Sequence, residues 1–369
     1  MYSVENPTVY ATRYGAGELH VARSLYSWEY YQVKNILNAP PMINWDAHIC
    51  LPQHPQADFM PVAQLRAAGV NHVSLNVGAD MNPVSQVMSV IAGYRATIAA
   101  ESDRYVLVST VDDIIQAAAD GKMAISFDLE GAMPLMDQPD MVALYAQLGV
   151  RQIHFAYNRN NSVAGGCHDT SCGLTPLGHR MVQAVNDAGV LMDCAHTSLR
   201  STLDIMAASS KPVIFSHANA YALVQHGRNV TDEQILACAG TGGVVCVSGL
   251  SWFLGNENPG AADVARHVAY IAELAGVAHV GIGTDICFQQ KDLDDTPPGA
   301  FDPSHWWPAS AGYRADSPPT FTPPAMWRSI APELRKLGMS VSEIEMVMGR
   351  NMMRVAQQVW CGPAQDEAA

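Results

Sequence analysis

The sequence predicts an α/β protein in which one (β/α)8 barrel fills most of the chain. Three observations carry this. Eight short apolar runs rich in β-branched residues recur between residues 42 and 285, as expected of strands buried on both faces of a parallel sheet. Helix-period segments lie between most of them, and such alternation indicates a barrel more than separate domains. Ionisable residues also collect at the C-terminal ends of these runs, the end where the loops of a barrel gather.

The runs are MINWDAH (42–48), HVSLNVG (72–78), AISFDLEG (124–131), QIHFAYN (152–158), VLMDCAH (190–196), PVIFSH (212–217), VVCVSGL (244–250) and HVGIGTD (279–285). Residues 61–69 read as a helix ending at Gly69. Residues 177–189 place Leu177, Met181, Val182 and Val185 on one face, with Gly189 just past the end. A helix over 198–209 opens on a Ser cap, and 261–276 shows an apolar stripe of Val264, Val268, Ile271 and Leu274. The long gap 79–123 reads as two helices, 84–101 and 111–121. Residues 1–41 read as an N-terminal extension packing on the barrel, with a helix over 24–37 and no secretory signal. Residues 361–369 read as a frayed tail. Thr296 to Pro324 holds eight prolines around Trp306 and Trp307. It follows the last strand and reads as a lid, or as an arm to a neighbouring subunit of a homodimer, with a passive connection as the alternative.

Composition narrows the function classes. The 369 residues are 49% hydrophobic and 15% charged, with a formal net charge of −14. That hydrophobic content excludes a disordered chain. No long uncharged apolar stretch reads as a membrane span, and the acidic balance speaks against nucleic acid or an anionic membrane as partner. Eight cysteines without a secretory signal suggest free thiols in a reducing, cytoplasmic setting. Cys167 and Cys172 flank His168 in a Gly-rich loop and read either as a weak metal motif or as two free thiols.

The strand ends carry the chemistry. The first gives Asp46, His48 and Cys50; the third Asp128 and Glu130; the fourth Tyr157 and Asn158; the fifth Asp193 and His196; the sixth His217; the eighth Asp285. One His in an apolar run is commonly a hydrogen-bonded core residue, and one acid at a strand end is commonly a helix cap. His48, Glu130, His196, His217 and Asp285 at one end of one barrel are harder to explain so. Burying them together is costly unless a cation compensates. Imidazole and carboxylate ligands suit Zn and similar divalent ions, one or two of them, and a bridged pair would polarise a carbonyl and activate water.

From Met42 to Trp360 the chain resembles the renal (membrane) dipeptidase family of the amidohydrolase superfamily. The motifs are DAHICLP (46–52), FDLEG (127–131), GVRQIHFAYNRNN (149–161), GLTPLG (173–178), LMDCAHTS (191–198), PVIFSH (212–217), RNVTD (228–232), GGVVCV (242–247), VGIGTD (280–285) and MGRNMMRV (348–355). The resemblance implies a metal-dependent barrel with His48 on a first metal, Glu130 bridging two metals, and His196 and His217 on the second. It also implies Asp285 as catalytic acid and base, and Arg228 as the grip on a substrate carboxylate, a task suited to a guanidinium's paired donors. The closing helix around 350–355 is expected to pack.

Two positions depart from the family pattern. Cys50 stands where the first metal's second ligand is an Asp. It either binds as a thiolate, at about 2.3 Å from Zn, or is a small buried thiol beside a weak or missing first metal. Asp46 is expected behind the ligands, able to swing in as a replacement. Tyr157 stands where the family has a His on the scissile-group oxygen; its hydroxyl can donate to a developing oxyanion. His154, at opposite parity, is expected to face the helices. Asn158 is expected at the substrate, and Asp193 to orient a ligand.

The leading expectation is hydrolysis of the amide bond of a dipeptide or dipeptide-like small molecule bearing a free carboxylate. A specialised amidohydrolase acting on a non-peptide amide or modified amino acid is the alternative, with a non-catalytic homologue as the third.

Overall fold

All eight predicted runs contain strands. The computed structural model describes residues 42–169, 172–299, 301–314 and 316–360. Its strands are β1 (Trp45–Cys50), β2 (His72–Ala79), β3 (Tyr105–Leu107), β4 (Met123–Glu130), β5 (Val150–His154), β6 (Leu191–Asp193), β7 (Val213–Phe215), β8 (Val244–Val247), β9 (Val280–Ile282) and β10 (Ile286–Cys287). The described pairs are all parallel, in the order β10-β1-β2-β4-β5-β6-β7-β8-β9. Because β10 continues β9 after three residues and pairs Ile286 and Cys287 with Ile49 and Cys50, the sheet returns to its first strand. This is the (β/α)8-type barrel the sequence predicts.

The gap 79–123 differs from expectation. Its two helices, α2 (Val84–Ala100) and α3 (Val111–Ala119), are present, but β3 lies between them. It pairs with Met123–Ile125 on β4, and β5 takes over that edge from Phe127. Three residues are too few to show a strand period.

Helices α1 (Met60–Ala67), α4 (Met141–Gln147), α5 (Pro176–Asp187), α6 (Leu199–Ala208), α7 (Asp232–Gly240) and α9 (Ala261–Ala275) link successive strands, with the short α8 (Ser251–Leu254) ahead of α9. Their starts are written in the sequence. Thr110, Thr175, Ser198 and Thr231 each cap a helix by accepting a backbone N–H. The closing helix, Asn351–Val359, packs as expected. Asn351 donates to the carbonyls of Val277 and Val280, and Arg354 to those of Gly242 and Ala278. Its Met352, Val355 and Val359 join Trp45, Ala124, Leu191 and Val244 in an apolar plug across the N-terminal end of the strands. No helix among the described residues is long and apolar enough to cross a membrane. The expected extension 1–41, its helix and the tail 361–369 lie outside the described residues.

Candidate metal centre

At the other end the strands turn from apolar to ionisable, beginning with β1. His48 and Cys50 share one face by parity, but a register shift between Asp46 and Ile49 breaks the alternation and leaves Asp46 on the other face. Asp46 does not reach the mouth. Its carboxylate accepts from the Thr284 amide (2.7 Å), the Thr284 hydroxyl (2.6 Å) and the Trp327 indole (3.3 Å), so it locks the seam between β1 and β9. Burial lifts its pKa to about 6 against those bonds.

His48 is held from β4. Its Nδ1 pairs with Asp128 Oδ1 at 3.1 Å and its Nε2 faces Glu130 Oε1 at 3.3 Å and the Cys50 sulfur at 3.4 Å. Burial opposes charge on this ring, but the two carboxylates outweigh it and raise its pKa well above the ordinary value. Asp128 is itself fixed by Ser74 (2.7 Å) and Asn76 (3.3 Å) of β2. This carboxylate–imidazole pairing is the arrangement that orients metal-binding histidines. Burial lifts Glu130 to about 7.

His196 and His217 stand just beyond β6 and β7. Burial holds both well below the ordinary imidazole pKa, helped by Arg228 and neighbouring histidines. Asn158 donates to the Trp306 carbonyl through its amide nitrogen (3.0 Å), so its Oδ1 accepts from His196 Nδ1 (2.7 Å). That places the His196 proton on Nδ1 and leaves Nε2 bare. This bare nitrogen lies 2.8 Å from His217 Nε2 and 3.0 Å from Glu130 Oε1. With its own proton on Nδ1 toward Ser216, His217 would turn a bare Nε2 to the same point, and lone pairs so close in a buried site repel unless a cation lies among them. The donor set therefore fits a divalent metal. Four groups bring ligand atoms within 4.8 Å of one another: Glu130–His196–His217, His48–Cys50–Glu130, His48–His217–Asp285 and Cys50–Asp285–Cys287. His48, Cys50, Glu130, His217 and Asp285 each belong to two of them, so the groups merge into one cluster. Cys287 carries no signal in the sequence; it becomes visible only once β10 pairs with β1.

Asn158, His196 and Asp285 have φ of 60°, 64° and 58°, three of the five left-handed non-Gly residues among those described. Such backbone costs about 1–3 kcal/mol per residue and clusters at functional sites. Here it turns each side chain from the strand end into the mouth. Asp285 receives a hydrogen bond from Ser248 (3.3 Å), and burial raises its pKa against the nearby His48 and Arg228.

The substrate side is formed by loops. Tyr157 is buried, stacks on His196 at 4.2 Å between ring centroids, and accepts from the Trp307 indole at 3.1 Å. Arg159 donates to the His305 carbonyl, and His168 meets the Tyr313 hydroxyl at 3.0 Å. The described residues of the Pro-rich segment 296–324 thus form one wall of the mouth. Arg228 is 3% exposed, leans over the Phe253 ring at 5.4 Å and donates to the His217 carbonyl at 3.3 Å. Among the described residues no carboxylate lies within ion-pair distance of it, and its Nε is unpartnered. Arg228 and His196 line a cleft of about 270 Å³.

Other expectations need correction. His154 does not face the helices. It is buried inside the barrel with Nδ1 on the Leu129 carbonyl (2.8 Å) and Nε2 on Asp193 (2.8 Å), its ring 5.5 Å from that of His217. The parity argument fails because β5 ends at His154 and residues 155–158 are no longer extended strand. Asp193 accordingly orients His154, not a metal ligand. Both polar ends of the Asn158 side chain are committed, to His196 and to the Trp306 backbone. Asp80, unremarked in the sequence, accepts from the Tyr157 and Met133 amides and from Asn161, each at 2.9 Å, and so sets the Tyr157 loop. Its carboxylate fills the space a Cβ at Gly131 would need (2.0 Å), where φ is also +139°. Cys167, His168 and Cys172 form no shared ligand group among the described residues.

Fold and site together define a barrel whose C-terminal mouth gathers groups able to hold a divalent metal. The sequence matches the membrane dipeptidase family, peptidase family M19, over residues 48–296, and the chain belongs to that family. It is similar to the dipeptidase tcpJ of Claviceps purpurea, 29% identical over 266 residues that make up 70% of this chain and 56% of that protein. It is also similar to the dipeptidase verJ of Clonostachys rogersoniana, 26% identical over 322 residues, 85% of this chain and 72% of that one. The chain thus spans little more than half of tcpJ. Among solved structures, an amidohydrolase from Pseudomonas aeruginosa superposes with a TM-score of 0.75 at 26% identity, covering 86% of this chain and 96% of that one.

Proposed function

We propose that the chain is a zinc-dependent dipeptidase that hydrolyses the amide bond of a dipeptide, or a closely similar small molecule, bearing a free carboxylate. The observation that carries this reading is Arg228: a buried guanidinium with no carboxylate within ion-pair distance among the described residues, lining the same cleft as His196. Leaving such a charge unpaired is costly, and a substrate carboxylate gripped by two parallel hydrogen bonds offsets that cost. Glu130, His196, His217 and His48 would hold a divalent ion, which would supply Lewis-acid polarisation of the carbonyl and acidification of water. Asp285 accepts the proton of the attacking water and returns it to the leaving amine as the C–N bond breaks; burial that raises its pKa favours holding the proton between the two steps. The Tyr157 oxygen accepts from Trp307, so its own O–H is free to donate to the developing oxyanion. The reading includes a reducing, cytoplasmic setting, since the seven described cysteines are unpaired.

The test is a panel of L,L and L,D dipeptides with the zinc-loaded full chain. Hydrolysis is expected, with Arg228→Met raising KM by about a hundredfold for free-carboxylate substrates and little for amide-capped ones. No hydrolysis of any dipeptide overturns the reading. The second reading, a specialised amidohydrolase, is favoured by Cys50, Tyr157 and the Trp306–Trp307 wall together; turnover of N-acyl amino acids with none of the dipeptides would establish it.

A further inference from the structure

β10 places one cysteine beside another at the edge of the centre. Cys50 and Cys287 are directly paired residues on neighbouring parallel strands, so their side chains leave the sheet on the same face. The register is pinned on both sides: the Asp285 amide donates to the His48 carbonyl (2.9 Å) and the Phe288 amide to the Cys50 carbonyl (3.0 Å). The ligand atoms of Cys50, Asp285 and Cys287 lie within 4.8 Å of one another, and Cys50 also belongs to the group with His48 and Glu130. Both thiols are free. A tetrahedral ion with Zn–S bonds of about 2.3 Å needs its two sulfurs about 3.8 Å apart. The adjustment required is therefore at most about 1 Å, within reach of side-chain rotation.

We infer that Cys287 is a ligand of the first metal position and that, with Cys50, it makes this a two-thiolate site, with oxygen or nitrogen completing the shell from His48, Glu130 or Asp285. The position left open by the missing family Asp is then filled by two soft donors, where the second position keeps Glu130, His196 and His217. Two thiolates favour Zn²⁺, Cd²⁺ or Co²⁺ and reject Mg²⁺ and Mn²⁺. The two metal positions therefore differ in chemical preference, and each thiol gives up its proton when the ion binds. This inference rests on the reading that the mouth holds divalent metal, but not on the substrate.

The experiment loads the reduced, metal-free full chain with Co²⁺ and then Cd²⁺ and records the thiolate-to-metal charge-transfer band. A band is expected in the native chain. It is expected to halve in Cys287→Ser and in Cys50→Ser, to vanish in the double variant, and to be unchanged in Cys172→Ser. Mn²⁺ is expected not to displace the thiolate-bound ion. A second readout needs no variant: Cys287 is the exposed one of the pair, and its alkylation, mapped by peptide mass, is expected to slow when Zn²⁺ is added. An undiminished band in Cys287→Ser, no thiolate band in the native chain, or alkylation of Cys287 indifferent to Zn²⁺ each overturns the assignment. These readouts are independent of turnover, so a chain that cleaves no dipeptide yet shows the halving band overturns the proposed substrate and keeps the dithiolate site.

Discussion

Two buried histidines, His72 and His48, stand near opposite ends of the barrel. His72, at the start of β2, lies 3.8 Å from the Trp45 ring and meets the Ser126 hydroxyl at 3.1 Å. Among the described residues no carboxylate pairs with it, and burial drives its pKa down to about 3. His48, near the end of β1, is equally buried, yet Asp128 and Glu130 flank it and its pKa moves the other way. Burial alone makes a histidine a neutral filler. Burial beside two carboxylates makes a cation site. The plug end is arranged for stability, the mouth for binding, and the two should respond differently to mutation and to pH.

The sharpest separation is expected from Glu130→Gln at the mouth. Activity on the best dipeptide should fall about a thousandfold with loss of bound metal. Thermal unfolding of the metal-free chain should change little, because a desolvated carboxylate has been removed. At the plug, Trp45→Ala should cost about 3–5 kcal/mol of stability in urea unfolding while leaving kcat intact. If it instead removed metal, the two ends would not be separable. Asp128→Asn, which weakens only the orienting partner of His48, should lower metal affinity about ten- to a hundredfold in a chelator competition. The smallest effect is electrostatic. The His72 pKa is lower folded than unfolded, so its contribution is present above about 6.5 and is lost as pH falls towards 3. Between pH 7 and pH 5 that loss is about 2 kcal/mol. Glu130, lifted by burial, contributes with the opposite sign in the metal-free chain, so the measurement is a difference: His72→Gln should be about 2 kcal/mol less sensitive to this acidification than the native chain. Equal slopes would place the burial of His72 in doubt.

The contrast between the ends also explains which features are legible in the sequence. The plug is written as uninterrupted apolar runs, and the mouth as the residue that breaks each run, so Glu130, His196, His217 and Asp285 stand out from the amino-acid order alone. The features that stay hidden depend on geometry that no local pattern encodes. His154 follows the strand period, but the strand stops beneath it and the chain turns. Asp80 and Asp128 act through contacts with distant loops and strands and resemble ordinary strand-end acids. Tyr105–Leu107 is too short to show a period. Cys287 gains meaning only from the closure of the barrel, where its partner is on the first strand. Asp46 stands out as a strand-end acid, but its Thr284 partner lies across the seam, and that bond decides that it faces away from the mouth.

The left-handed backbone at His196 has a consequence for mutational tolerance. Glycine or asparagine would occupy that φ with less strain than an imidazole. The residue proposed to anchor the second metal position therefore sits where the fold by itself would choose something else. Selection for a stable chain and selection for an active one pull this position apart, and a lineage released from catalysis would gain stability as it lost its ligand. A saturation library at residue 196, sorted once for expression and once for turnover, should rank the substitutions in opposite orders.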